Sequence, residues 1–255
     1  MAGLLLQGKV FVGLRLATGL PDIMRWLGNA PKFVLSLNED VVERNESYSG
    51  SRLPLRRATR NRKGTLSITF DEFTDDNMAL ALVGSKTLVA AGAAQTNVVL
   101  AATVPNPAKV GDTLIIPGKN LSAVAIKDST GAPKTLALNV NYALDAFAGS
   151  IDILDLTTSG PYVMPLKADF TPGINTVVGA FKTVTPELYV RLNGINTDDG
   201  SRVICDVFRT RLAPPKNIDL IGDDFNDFVL DGGLLADLTR LATSTEGQFF
   251  SLTRA

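Results

Sequence analysis

The chain has 255 residues, of which 45% are hydrophobic and 20% charged, and its formal net charge is −1. These values are typical of one large or two modest globular domains, and they exclude a disordered chain and a bulk attraction to nucleic acid or an anionic membrane. Histidine is absent and Cys205 is the single cysteine, which excludes Ser-His-Asp triads, histidine-ligated metals and intramolecular disulfides.

The N-terminal sequence MAGLLLQGKV has a run of only three leucines and no basic flank. It therefore does not fit a signal peptide. No apolar run approaches the length of a membrane span. We expect a protein made in the cytoplasm, with no membrane partner.

Two-residue alternation of apolar side chains predicts strands over residues 9–17, 32–42 and 65–73. The second and third of these are separated by residues 43–63, which are polar and charged. We expect this stretch to form a loop. Compact domains rarely use connections of this length unless the connection has a function, so the stretch is expected to contact something outside its own domain.

The loop carries two early glutamates and then six cations within twelve residues. A solvated loop, a nucleic-acid or acidic-partner patch and an intersubunit contact all fit such a run. The basic part has no aromatic residues for base stacking and no recognised nucleic-acid motif, which favours a protein contact. The candidate contact residues are Glu43, Arg44, Glu46, Arg52, Arg56, Arg57, Arg60, Arg62 and Lys63.

A short helix is predicted directly after the third strand. Thr74 is a suitable N-cap, and Asp75 and Asp76 place negative charge in the first turn, where the helix amides favour it. Met78 and Leu82 share one face, and Gly84 marks the stop. We expect this helix to cover one end or face of a sheet.

Residues 91–159 contain short apolar runs separated by Gly, Pro, Asn and Asp, which predicts a small inserted β-domain. Strands are then predicted over residues 162–170, 175–181, 187–192 and 202–212, with Asn193-Gly194 and Asp199-Gly200 marking the last turn. Cys205 lies in the last of these strands, so a packed thiol is expected. The core domain would comprise residues 1–90 and 160–255.

The C-terminal region interleaves six aspartates with apolar residues. Its sequence DDFNDFVLDGG does not match the alternate-position ligands and closing glutamate of a calcium loop, so no metal and no cofactor are expected. The aspartates are Asp219, Asp223, Asp224, Asp227, Asp231 and Asp237.

The order of these features resembles that of the major tail tube proteins of long-tailed bacteriophages. The resemblance rests on the strand after Gly28-Asn29, the charged loop, TLSITFDEF with TDDNMALALVG behind it, and LYVRLNGINTDDGSRVICDVFRTRLAPP. The insert KDSTGAPKTLALNVNYALDAFAGSIDIL is similar to the small β-domains that many of these proteins carry.

This resemblance implies a mainly-β fold of two packed antiparallel sheets with one short flanking helix, plus the inserted module. It also implies hexameric rings that stack into the tail tube of a virion and conduct double-stranded DNA without reading its sequence. Tape measure, terminator and distal tail proteins would be partners, and assembly would occur in the host cytoplasm. The implied lumen-facing residues are Asn38, Glu39, Asp40, Thr65, Ser67 and Thr69.

Three alternatives remain open. A carbohydrate-binding or adhesive β-sandwich would need clustered aromatics, whereas one Trp and four Tyr are scattered along the chain. Another ring-forming tail component, such as a terminator or distal tail protein, would share the fold. An enzyme would need paired carboxylates such as Asp223 and Asp227. We expect no enzymatic activity and no catalytic residues.

Overall fold

The computed structural model describes residues 3–100, 107–223 and 225–254. The prediction of a mainly-β fold is confirmed, since 47% of the chain is strand and 3% is helical. Asp224, and residues 101–106 of the predicted insert, lie outside the described residues. No helix in the described part is long and apolar enough to cross a membrane.

The chain divides into two compact units. Unit 1 comprises Met1–Lys86 and Val178–Ala255, and unit 2 comprises Thr87–Val177. The second unit corresponds to the predicted insert. It begins at Thr87, a few residues before the predicted start at 91, but it extends to Val177, so the predicted end at 159 is wrong. Ala168 and Phe170, which were assigned to the core domain, instead belong to the hydrophobic core of unit 2.

Unit 1 contains one helix and an eight-stranded sheet within the described residues. Its elements are β1 (Leu6–Leu14), β2 (Arg25–Trp26), β3 (Lys32–Asn45), β4 (Pro54–Phe70), α1 (Asp75–Ala81), β13 (Leu188–Asn196), β14 (Arg202–Leu212), β15 (Phe228–Leu234) and β16 (Phe250–Arg254). The main strand order is β2-β1-β13-β14-β15-β4-β3, and β16 also pairs with β14.

Strand β14 connects the two halves of this sheet. Val203 to Val207 pair with β16, whereas Thr210 to Leu212 pair with β15 on the way to β4 and β3. Val12 and Val190 from one half, and Ile68 and Leu230 from the other, belong to the same hydrophobic cluster. The halves therefore pack as two layers joined through one strand. Cys205 lies in this cluster and is 2% exposed, and burial raises the pKa of its thiol to about 12.

Helix α1 follows the prediction closely. The Thr74 hydroxyl accepts a hydrogen bond from the amide of Asn77, and Asp75 and Asp76 occupy the first turn. Ala81 is buried in the core of unit 1, and Met78 packs against it. The helix therefore flanks the sheet through its apolar face.

Unit 2 is built from two three-stranded sheets. Its strands are β6 (Gln95–Val99), β7 (Thr113–Ile115), β8 (Ser122–Lys127), β9 (Tyr142–Asp145), β10 (Ser150–Ile153) and β11 (Lys167–Thr171). A separate hydrophobic cluster that includes Ile126, Ile151 and Phe170 forms its core. The chain enters and leaves this unit through β5 (Ser85–Val89) and β12 (Asn175–Gly179), which pair with each other.

Candidate functional site

Residues 43–63, predicted to form a loop, instead belong mostly to a long β-hairpin. Strand β3 continues to Asn45 and β4 begins at Pro54, so only residues 46–53 form the turn. Pairing runs continuously from Lys32↔Thr69 to Asn45↔Pro54, with register shifts after Asp40 and Arg44. Alternation did not reveal these strands because neither of their faces is buried against the core.

The hairpin has a buried base and an exposed outer half. In β4, Leu66, Ile68 and Phe70 are fully buried, whereas every residue from Pro54 to Lys63 is exposed. Residues 38–63 form this outer half, which we call the arm. At a rise of about 3.3 Å per residue, the ten exposed residues of β4 extend roughly 33 Å beyond the base. No residue of the arm, which the structure describes in full, belongs to a hydrophobic core cluster.

The turn at the end of the arm is organised by Glu46, which is 7% exposed. Its carboxylate accepts hydrogen bonds from the amides of Tyr48 and Ser49, at 3.0 and 2.8 Å, and from the Ser49 hydroxyl. These bonds from Ser49 and Tyr48 lower the pKa of Glu46 to about 2. Glu46 therefore shapes the turn, and it is the one predicted contact residue that is not exposed.

Three of the predicted cations pair with carboxylates of the same arm. Lys63 lies 3.0 Å from Asp40, Arg62 lies 3.1 Å from Glu39, and Arg57 lies 3.5 Å from Glu43. The Thr59 hydroxyl and the Arg62 guanidinium lower the pKa of Glu39, and Lys63 lowers that of Asp40. These three cations therefore already have partners within the arm, and their contact with another protein stays a prediction.

The remaining arginines of the arm lack such partners. Arg44, Arg52, Arg56 and Arg60 are exposed, and none makes an ion pair within the described residues. The pairing register places Arg44 directly opposite Arg56. Like charges directly opposite each other destabilise an antiparallel pair, so this position favours an external anion.

Five of the six predicted lumen residues share one face of the hairpin. Asn38 lies opposite Lys63, and β3 and β4 then continue with Ser36↔Thr65, Val34↔Ser67 and Lys32↔Thr69. Asp40 contacts Lys63 on this face. Glu39 lies on the other face with Arg62, because alternate side chains of a strand point to opposite faces. Glu39 and the other five candidates therefore cannot all face the same side of the hairpin, and which side faces a lumen stays a prediction.

Thr69 differs from the other residues of this face in its burial. It is 7% exposed, although it follows the same alternation as Thr65 and Ser67. Thr65 is exposed and Ser67 is half-buried, so exposure decreases along β4 towards Phe70. The polar face therefore extends from the arm to Ser67 and ends there.

A groove lies where the arm leaves the body of unit 1. It has a volume of about 350 Å³. Its apolar lining comes from Leu37 on β3, which is 67% exposed, and from Phe249 and Phe250 next to β14. Glu39, Arg62 and Lys63 line its charged side. No sequence pattern indicates this groove, because its walls come from residues 37–64 and 249–250, which are distant in sequence.

The five C-terminal aspartates that the structure describes do not form one cluster. Asp237 is fully buried and contacts Arg15, and Asp231 lies on β15 opposite Ser67. Asp219, Asp223 and Asp227 are exposed in the connection between β14 and β15. Leu220, Ile221 and Phe225 in the same connection are 80%, 96% and 101% exposed. We call residues 219–227, apart from Asp224, the acidic segment.

The acidic segment was considered above as a calcium loop and as a pair of catalytic carboxylates. Among the residues that the structure describes, no three His, Cys, Asp or Glu side chains are grouped so as to hold a metal ion. Asp223 and Asp227 are both exposed to solvent, and no buried environment prepares either carboxylate for acid-base chemistry. What the segment presents is negative charge next to large apolar side chains.

One protein family matches the chain over almost its whole length. Its description is "Protein of unknown function UCP028589", and its model matches residues 4–253. No curated protein matches the chain.

Proposed function

We propose the function from the geometry of the arm, on the premise that the chain belongs to this family of unknown function. The protein is a structural subunit that assembles with copies of itself, in the manner of a phage tail tube protein. Six copies close into a ring, and rings stack into a tube.

The single observation that carries this proposal is the unpaired edge of β3. This strand is the last in the sheet order and pairs only with β4 within the described residues. It has 14 residues, and long exposed edges recruit further strands unless they are covered. Pairing of β3 with the sheet of a second copy satisfies its free backbone groups, and closure into a ring removes the edge.

The polar face supports the second part of the proposal, a conduit for double-stranded DNA. Asn38, Thr65 and Ser67 are uncharged, and Lys63 on the same face is neutralised by Asp40. The unpaired Arg44 and Arg56 lie on the same face but further out, towards the turn of the arm, so the proposed wall is the section from Ser67 to Asp40. A section with few free cations lets DNA slide, because each neutralised phosphate adds salt-dependent affinity. This face is therefore suited to line a lumen through which DNA passes without sequence readout.

A virion tail is the location that follows from this function, with assembly in the host cytoplasm. The tape measure, terminator and distal tail proteins would contact the tube at its lumen and ends. The proposal does not include catalysis or a cofactor.

The test is the assembly state of the purified protein. Light scattering after size-exclusion chromatography, from micromolar to millimolar concentration, should show hexamers or larger species, and negative-stain images should show rings or tubes. A variant that joins Asp40 to Asn61, which face each other across the hairpin, through a two-residue Asn-Gly turn lacks residues 41–45 of the β3 edge. It should assemble only at higher concentration than the wild type, and its circular dichroism spectrum should still be that of a folded β-protein. A wild-type protein that stays monomeric throughout this range contradicts the proposal.

A further inference from the structure

The arm and the acidic segment have complementary surfaces. The arm carries seven Arg and Lys residues against four Asp and Glu residues, and its unpaired charges are cationic. The acidic segment carries Asp219, Asp223 and Asp227 together with three large apolar side chains that are at least 80% exposed. Both surfaces combine charge with exposed apolar area, which is typical of a protein interface.

The clearest docking position on the arm is the face that carries Arg44 and Arg56. Val42, which is 52% exposed, lies two residues before Arg44 and therefore on the same face. Two opposed arginines beside an exposed valine fit a carboxylate followed by an apolar side chain. In the acidic segment, Ile221 lies between Asp219 and Asp223 in sequence, and all three side chains are exposed.

The two surfaces lie at opposite ends of β4 in one chain. The arm ends at Pro54, whereas the acidic segment leads into Phe228, which pairs with Phe70 at the far end of the strand. The 17 residues of β4 span roughly 55 Å at about 3.3 Å per residue. This separation favours contact of the arm with the segment of a second copy. Such head-to-tail contacts generate rings or filaments.

We infer that the acidic segment of a second copy of this chain docks on the Arg44–Arg56 face of the arm. Its aspartates neutralise the two opposed arginines, and Ile221 covers Val42. This inference rests on the proposed self-assembly. It identifies the two different surfaces through which adjacent copies meet head to tail.

Charge reversal on each side tests the inference. Arg44→Glu with Arg56→Glu, and separately Asp219→Lys with Asp223→Lys, should each raise the concentration needed for half-maximal assembly by at least about tenfold, because like charges then face each other across the interface. An equimolar mixture of the two variants should assemble again, since each reversed surface meets a complementary one. Wild-type assembly should weaken in 1 M NaCl, where the screening length is about 3 Å.

A matched control keeps the composition of the arm unchanged. Exchanging the charges of the internal pair, Glu43→Arg with Arg57→Glu, should leave assembly as in the wild type, because that pair lies on the other face. Circular dichroism checks that every variant folds.

The outcomes separate this inference from the proposed function. If both reversed variants assemble like the wild type, or if their mixture stays monomeric, the arm and the segment do not contact each other and the inference is overturned, while the self-assembly of the wild type still stands. A wild-type protein that never assembles overturns both.

Discussion

Asp237 illustrates how a charged residue becomes part of the core of unit 1. It is fully buried, and its carboxylate accepts hydrogen bonds from Arg15, from the amide of Thr239 at 3.0 Å and from the Thr239 hydroxyl at 2.6 Å. Burial alone would raise the pKa of Asp237, but the bonds from Arg15 and Thr239 outweigh it and lower the pKa. The residue therefore stays ionised and holds the Arg15 guanidinium in place.

Asp237→Ala should destabilise the protein strongly. The substitution leaves Arg15, whose side chain is 9% exposed, without its buried partner, and breaking such a pair costs about 3–5 kcal/mol. Urea denaturation followed by circular dichroism measures the free energy of unfolding. Asp22→Ala is the matched control, because Asp22 is exposed and makes no ion pair within the described residues; it should change stability by less than about 0.5 kcal/mol. Equal effects of the two substitutions would contradict the role of Asp237.

The sequence predicted burial correctly only where the residues around a position also showed an apolar alternation. Cys205 was predicted to be buried, because alternate apolar residues surround it in β14, and the structure confirms this. Asp237 and Glu46 were grouped with surface charges, because nothing adjacent in sequence marks a distant arginine or a turn amide as a partner. Burial of a carboxylate depends on contacts that the local pattern does not contain.

At the scale of the elements, β14 and helix α1 were predicted well. Arg202–Leu212 agrees with the predicted strand, because one of its faces is buried along most of its length. The turn after β13 was misplaced at Asn193-Gly194, which lie inside the strand. The arm was predicted as a loop because its strands are exposed on both faces, unlike β14. Such strands do not require apolar and polar residues to alternate.

The close approach of β13 explains why position 8 of β1 is a glycine. Gly8 pairs with Gly194 of β13, and a Cβ atom at Gly8 would lie 2.2 Å from the carbonyl oxygen of Asn193. Because this oxygen belongs to the backbone, the strands would have to separate. Gly8→Ala should therefore cost about 1–3 kcal/mol, measured by urea denaturation.

Gly233→Ala is the control for this prediction. Gly233 lies in β15 of the same sheet, and a Cβ atom there would meet nothing within 4 Å. This substitution should change the free energy of unfolding by less than about 0.5 kcal/mol. A similar loss in both variants would show that strand propensity, rather than the close approach at Gly8, determines the effect.

At the scale of the whole molecule, the sequence predicted an insert but ended it too early, at residue 159 instead of Val177. Short apolar runs separated by Gly and Pro located the start of unit 2 within a few residues. Residues 162–170 alternate like the core strands that follow them, so the sequence offered no reason to assign them to the insert. Their place is decided by the pairing of β11 with β6 and β8, which is a long-range contact.

Among the residues that the structure describes, the hydrophobic cores of the two units share no member, so each unit should fold without the other. Removing residues 87–177 and joining Lys86 to Val178 through a short Gly-Ser linker should leave unit 1 folded. The ends are close enough to join, because a Cβ atom at Gly84 would lie 2.2 Å from the carbonyl oxygen of Gly179. Circular dichroism and urea denaturation should show one cooperative transition with a smaller m-value, since less surface is exposed on unfolding.

The isolated fragment 87–177 is the complement of this experiment and should also unfold cooperatively. The shortened protein retains the whole arm and the acidic segment, so it should still assemble at concentrations close to those of the wild type. Loss of cooperative unfolding in either piece would show that the units depend on each other. A shortened protein that folds but does not assemble would instead place part of the contact between copies in the insert.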